Sequence, residues 1–542
     1  MKRLLPIIIL FIISFFITKP FFNEGYFPTH DGEWAIVRMA EMQREIKDGQ
    51  IPPRWAGYLN HGYGYPLFSF TYPLPYYLGV LFHLLHIGLV DNVKTIFILS
   101  VFLSAISMFF LGRELIGDSG GFIAAVCYTV APYRLVNLYV RGSIGESLGL
   151  AIFPLLLLLS LKYILKPTLI RLVLTSFVLA LFILTHNITA FVFFPFWIIF
   201  LYISLFTYFE DIKKYTIYYF PPLIILGLGL SAYFFIPAIL EKKYILLSQI
   251  KLADISKNFI KPLDFLFSPW SYEKPSFQLG WAHITGAFLG LISIFLSNKI
   301  ERKKYLYFAI FIIIGIIFPI FFTLSISEKF WMIAPLSWID FPWRLMNVII
   351  FFLAFSSMFL VIHKFIKIIG ILLVLLIIFL SLKFAKPAEY FNKGDLYYAT
   401  NDATTTSADE LMPIWVIDKP KNRYQSKIEV EKGNAIISNL IDNSFSFEAE
   451  ALVNTTDANL KVNTVYFPGW QFYINGEKTV INYNQNDGLI RFSIPSGRHH
   501  IKGKFVETPI RLISDLITLI SLIISLSLVC YSLFRKLSVK KS

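Results

Sequence analysis

Apolar residues run along this chain in blocks, with polar and charged residues collected between them. Runs such as LGLAIFPLLLLLSLKYIL and IIGILLVLLIIFLSL are about the length needed to cross a hydrocarbon core roughly 30 Å thick. The pattern predicts twelve spans, at roughly 4–22, 93–112, 120–136, 147–165, 169–187, 189–207, 216–236, 284–298, 305–324, 345–362, 367–385 and 510–534. The first follows Lys2 and Arg3 without a small-residue cleavage site and reads as a retained anchor. The segment YPLPYYLGVLFHLLHIGLV (72–90) competes for a place as a span. Its opening prolines and its His and Tyr interruptions predict instead a helix lying in the interface.

Between residues 386 and 508 the pattern changes. Short alternating runs (AIISNLI, SFSFEAEAL, NLKVNTVYF, QFYINGEKTVI, LIRFSIPSG) are punctuated by Asn-Gly, Pro-Gly and Pro-Ser-Gly. Period-two alternation with such turns predicts an antiparallel β-sandwich. Three regions follow: a membrane domain over 1–385, the β-sandwich over 386–508, and a last span with a basic tail over 509–542.

Composition agrees. Of 542 residues, 56% are hydrophobic and 15% are charged, against about 25% charged in a soluble domain. The chain is a polytopic membrane protein. Its net charge of +14 comes from short clusters between spans, not from a patch that would hold nucleic acid. With both termini cytoplasmic, GRELIGDSG, KYILKPTLIR, FEDIKKY, SNKIERKKY, IHKFIK and FRKLSVKKS all fall inside, and each is basic or short. Segments 23–92, 137–146, 237–283, 325–344 and 386–508 then face the exterior of the cell membrane. Cys127 and Cys530 lie within apolar runs and give neither metal spacing nor a disulfide framework.

The candidate chemistry lies in those outer segments. YFPTHDGEWAIVRMAEMQ sets His30, Asp31 and Glu33 at the start of an amphipathic helix over Trp34–Asp48. The helix dipole there favours an ionised carboxylate, as a general base requires, and an aspartate at this position also suits a plain N-cap. Arg134, Arg141 and Glu146 lie between the third and fourth spans, His186 and Asn187 end the fifth, and Asp340 and Arg344 precede the tenth. Arginine forks match phosphate geometry, while the same residues at span ends also snorkel to lipid phosphates. Gln278, Trp281 and His283 stand before the eighth span. No Gly-rich phosphate loop, HExxH or paired-Cys zinc motif is present.

THDGEWAIVRM, GYPLFSFTYPLPYYLG, YRLVNLYVRGSIGE, THNITA, DFPWRL, TSADELMPIWV and YFPGWQFYINGE together resemble YfhO-like bacterial membrane proteins. These include the family labelled 6-pyruvoyl-tetrahydropterin synthase related domain, although no pterin-type zinc site is seen. A wider likeness is to GT-C glycosyltransferases such as protein O-mannosyltransferases, where an acidic first outer loop precedes a segment similar to PLPYYL (73–78). The resemblance implies transfer of a sugar from a polyprenyl-phosphate carrier to a cell-envelope glycan, lipid or protein. It implies Asp31 as base with Glu33 as rival, and Arg141, Arg344 and Arg134 for the carrier phosphate. His30, Glu146, His186, Asn187, Gln278 and Asp340 would shape the pocket. No cofactor is implied, and the acidic pair reads D-G-E rather than D-x-D, which gives no support for a divalent metal. Two other classes remain open: a transporter or flippase of lipid-linked glycans, and a non-catalytic scaffold.

Overall fold

The computed structural model describes residues 4–209, 212–387 and 389–541. Among them, nine helices are long and apolar enough to cross a membrane, the first Leu5–Phe22 and the last Pro509–Leu537. Inside a bilayer each backbone N–H and C=O needs an internal partner, which a helix supplies. The third predicted span is a bent pair, Asp118–Thr129 and Pro132–Tyr139, meeting at 45°. The fifth and eighth are shorter apolar helices, Leu169–Thr185 and Trp281–Leu296. Segment 72–90 forms the ten-residue helix Leu74–His83 and then leads into Leu89–Leu115, so it supplies no extra span.

Burial is uneven. The helix Met346–Ser357 is buried along its whole length, and its Phe351 and Phe352 pack against Phe153, Phe193, Phe196 and Phe311. The last helix is exposed along most of its apolar length. It is tied in at one end, where Arg54 donates to Asp515 at 2.7 Å and to the Tyr233 carbonyl at 2.6 Å. Arg511 pairs with Glu241 at 2.8 Å and donates to the Pro468 carbonyl at 2.9 Å.

Strands occupy 428–505 of the predicted sandwich region: β1 Ile428–Lys432, β2 Ala435–Asp442, β3 Ser446–Val465, β4 Trp470–Ile474, β5 Glu477–Lys478 and β6 Leu489–Phe505. All pair antiparallel in the order β1-β3-β6-β4-β5, with β2 also on β3. The runs SFSFEAEAL and NLKVNTVYF are halves of the single 20-residue β3. Pro-Ser-Gly at 495–497, expected to be a turn, lies inside β6. Gly497 adopts a φ of 115° where pairing with β3 shifts between Val453 and Asp457. A glycine at such an irregularity bends a strand without reversing it. The bend brings Phe472, beside the Gly503 end of β6, to 5.5 Å from Phe492 nearer the other end. The two halves therefore face each other across one core, as in a sandwich.

Asn475-Gly476 is the two-residue hairpin the sequence predicts, with φ of 51° and 86°. A Cβ at Gly476 would meet nothing within 4 Å, so only backbone strain opposes a side chain. Gly476→Ala is expected to cost about 1–2 kcal/mol, read as a lower midpoint of thermal unfolding.

The helix expected over Trp34–Asp48 spans Gly32–Lys47, but two carboxylates of its polar side do not face solvent. Glu41 and Glu45 are fully buried, with Glu41 taking the Tyr58 N–H at 2.9 Å and Glu45 the Gly57 N–H at 2.9 Å. Burial first, and then the charge of Glu41, hold the Glu45 carboxyl well above its usual range. The folded chain therefore takes up a proton there more readily than the unfolded chain. Stability contributed by that proton is full below pH 4.5 and falls as pH rises through the raised value. Stability is expected to decline over that window, and Glu45→Gln to flatten the decline in unfolding measured against pH.

Candidate active site

Two turns meet where the chain leaves the first span. The backbone N–H of His30 donates to the Val140 carbonyl at 3.1 Å, and that of Asp31 to the Arg141 carbonyl at 2.8 Å. This fixes Asp31 at the mouth of the helix Gly32–Lys47. Its carboxylate does not cap that helix; Thr29 Oγ1 accepts the Gly32 N–H instead, at 3.0 Å. Among the described residues the half-buried Asp31 carboxylate has neither a hydrogen bond nor an ion pair. Both readings of Asp31 thus meet a physical answer: it occupies the cap position while its carboxylate stays uncommitted.

Glu33 differs. It accepts from Tyr398 Oη at 3.5 Å and lies 3.9 Å from Lys393 Nζ. His30 Nε2 donates to the Tyr272 carbonyl at 2.6 Å, drawing the 268–280 loop against the first turn.

Behind Asp31 four buried side chains close a ring. Arg141 donates to Glu146 at 2.5 Å and to Asn137 Oδ1 at 2.9 Å. Asn137 donates to Asn347 Oδ1 at 2.8 Å, and Asn347 donates back to Glu146 at 2.6 Å. Arg141 also lies over the Trp343 ring, 4.6 Å from its centre. Burial lowers the Arg141 guanidinium, but the charge and hydrogen bond of Glu146, with Tyr133 and Asp31 adding to them, together raise it above its ordinary value, so Arg141 stays charged. Arg344 pairs with Asp340 at 2.9 Å and keeps its Nε without a protein partner, as does Glu146 Oε1. Both residues line a cavity of about 10 Å³ with His186 and Asn347, the room of one water molecule.

The structure therefore gathers Arg141, Glu146, Arg344, Asp340 and His186 in one cluster, to which Asp31 is joined by its backbone bond to Arg141. Their charges matter to what they can hold: two arginines are matched by Glu146 and Asp340 before Asp31 is counted. His186 is engaged structurally, its Nδ1 accepting the Thr189 N–H at 3.2 Å as the cap of Asn187–Tyr208, with its ring 4.8 Å from Tyr72. Asn187 donates to the Phe70 carbonyl at 3.0 Å.

Two predicted residues lie elsewhere. Arg134 is buried with its guanidinium over Tyr128, donating to the Ser100 carbonyl at 3.1 Å. Gln278 lines a separate cavity. Asn137 and Asn347 were missed, although an amide inside an apolar segment is itself a signal of buried polar function. Among the described residues no three His, Cys, Asp or Glu side chains converge as metal ligands.

Fold and site define a polytopic membrane protein with an antiparallel sheet domain near its C-terminus and a polar cluster where helices end. A family model described as "6-pyruvoyl-tetrahydropterin synthase related domain; membrane protein" matches residues 68–390, and the chain belongs to that family. The match takes in Arg134 to Arg344 and starts beyond Asp31. An uncharacterized protein of Lactococcus lactis subsp. cremoris (strain MG1363) is 25% identical over 260 residues, covering 46% of this chain and 42% of the relative. Arabinofuranosyltransferase AftD from Mycobacteria is similar at a TM-score of 0.43 and 14% identity, over 72% of this chain and 27% of that one. The archaeal oligosaccharyltransferase AglB from Archaeoglobus fulgidus, in complex with an inhibitory peptide and a dolichol-phosphate, is similar at 0.43 and 13%, over 74% and 56%. In each case this chain spans less than two-thirds of the other's length.

Proposed function

We propose that this protein is a membrane glycosyltransferase moving a sugar from a polyprenyl-phosphate carrier to an acceptor on the outer face of the cell membrane, with Asp31 as general base. The observation that carries the reading is the uncommitted Asp31 carboxylate, held by its own backbone N–H on the Arg141 carbonyl. A phosphate leaves readily and needs no proton donor. One carboxylate is then enough: it takes the acceptor hydroxyl proton as the oxygen attacks the anomeric carbon and the bond to phosphate breaks. A glycosidase would call for two.

Arg344 is the cation of the cluster positioned to meet the departing phosphate. Its pair with Asp340 is partly exposed and its Nε is unpartnered. Arg141 instead positions Glu146 and the two asparagines. Glu33, engaged by Tyr398 and Lys393, is the less available of the two carboxylates.

The test is transfer in membranes with and without the intact chain, supplied with polyprenyl-phosphate hexoses labelled in the sugar. Label leaving the lipid only where the chain is present supports the reading. With folded chain and several hexoses tried, absence of release would sink it in favour of a transporter or scaffold.

A further inference from the structure

The helix Gly32–Lys47 carries a cation that the cluster behind Asp31 does not use. At about 3.6 residues per turn, positions 31, 34 and 38 fall on one side of it. Asp31, Trp34 and Arg38 are each partly exposed there, whereas the same side further along buries Met42 and Glu45.

The Arg38 guanidinium lies over the Trp34 ring, 5.9 Å from its centre. Its Nε donates to Thr405 Oγ1 at 3.0 Å, one terminal nitrogen to the Thr405 carbonyl, and the other to Tyr76 Oη at 3.5 Å. These acceptors are neutral, and no carboxylate pairs with Arg38 among the described residues. They hold the fork still without cancelling its charge. A guanidinium has more donors than these bonds use, and one N–H is left on each terminal nitrogen. Tyr72 lies close by, partly exposed, its ring stacked 6.0 Å from that of Tyr76. Burial and Tyr76 hold the Tyr72 hydroxyl well above its ordinary value, and the opposite charges of Arg38 and Asp31 both act on it.

Each part limits the ligand. Partly exposed aromatic rings take the apolar C–H face of a sugar, and a paired arginine N–H fork takes a carboxylate with two bonds. The helix rise sets positions 31 and 38 about 10 Å apart, and the contact with Trp34 leans the Arg38 side chain back towards Asp31.

We infer that this face is the acceptor subsite and that it selects a sugar bearing a carboxylate, a uronic acid, with the ring on Trp34, the carboxylate on Arg38 and the attacking hydroxyl at Asp31. The assignment rests on Asp31 acting as the base proposed above, and it makes Arg38 the residue that sets acceptor specificity. The hydroxyl gives its proton to Asp31 and its oxygen to the new glycosidic bond, and the carboxylate takes no part in bond-making.

Equilibrium binding of p-nitrophenyl β-D-glucuronide and p-nitrophenyl β-D-glucoside to the full chain, in nanodiscs of phosphatidylcholine, tests the selection. The probes differ only in a carboxylate that replaces a hydroxymethyl group. The glucuronide is expected to bind about tenfold more tightly, and Arg38→Gln to erase that difference. Equal binding of both probes to the intact chain overturns the inference, whether or not any variant folds. So does a preference that survives in folded Arg38→Gln. Supplied with labelled polyprenyl-phosphate hexoses, the intact chain should pass label to the glucuronide about tenfold faster than to the glucoside. Equal transfer to both leaves the transferase standing and overturns the selection. Preferential binding with no label leaving the lipid overturns the transferase reading, and with it the acceptor role of this face. If Arg38→Gln slows transfer to both probes alike, Arg38 reads the donor and the assignment fails.

Discussion

Asp31→Asn is expected to remove sugar transfer almost entirely, by about 10²–10⁴-fold in rate, while the protein folds as before. The substitution keeps side-chain shape and leaves the anchoring bond from the Asp31 backbone N–H to the Arg141 carbonyl in place. It also breaks no side-chain bond, because Thr29 and not Asp31 caps the following helix. What it removes is the ability to take a proton. Initial rates of label release, with unfolding temperatures alongside, separate the two effects. A variant as active as the intact chain would show that the base lies elsewhere. Loss of activity together with a large fall in stability would return Asp31 to a structural role.

The second large effect is on stability. Glu146→Gln is expected to cost about 3–5 kcal/mol, because it leaves the Arg141 guanidinium buried without its counter-charge. Glu146 and Arg141 are 1% and 4% exposed, so water cannot take over the lost partner. Replacing both by methionine should cost much less than either single loss, since a buried pair barely repays its own desolvation. Unfolding of Glu146→Met, Arg141→Met and the double variant in one cycle gives the coupling. Single losses within about 0.5 kcal/mol of the intact protein, the level of ordinary surface substitutions, would show that the ring is not a closed buried network.

What could be read in advance follows from the range of each force. Apolar length and turn chemistry act along the chain, so the spans, the absence of an extra span in the segment before Leu89 and the Asn-Gly hairpin were legible. The 20-residue β3 was not, because its polar middle reads as a break, and only pairing with β6 on either side of that middle makes it one strand. Pro-Ser-Gly misled for the same reason, its bend being set by register with a distant strand. The buried polar side of Gly32–Lys47 was equally hidden: an amphipathic helix does not announce that Gly57, Tyr58 and Ser444 will close over its carboxylates.

At the site the division is sharper. The sequence by itself determined that this is a polytopic membrane protein with a β domain before its last helix, and that His30, Asp31, Arg141, Glu146 and Arg344 stand at helix ends. Hydrophobic transfer and helix length enforce that much locally. Only the tertiary structure decided how these groups are spent. Asn137 meets Asn347 across 210 residues of chain, Arg141 is held by Glu146 while the Asp31 carboxylate has no hydrogen bond or ion pair among the described residues, and Arg134 turns away to Ser100. Hydrogen bonds and ion pairs act over a few ångströms, so which groups are paired and which stay free is settled only when distant segments pack together.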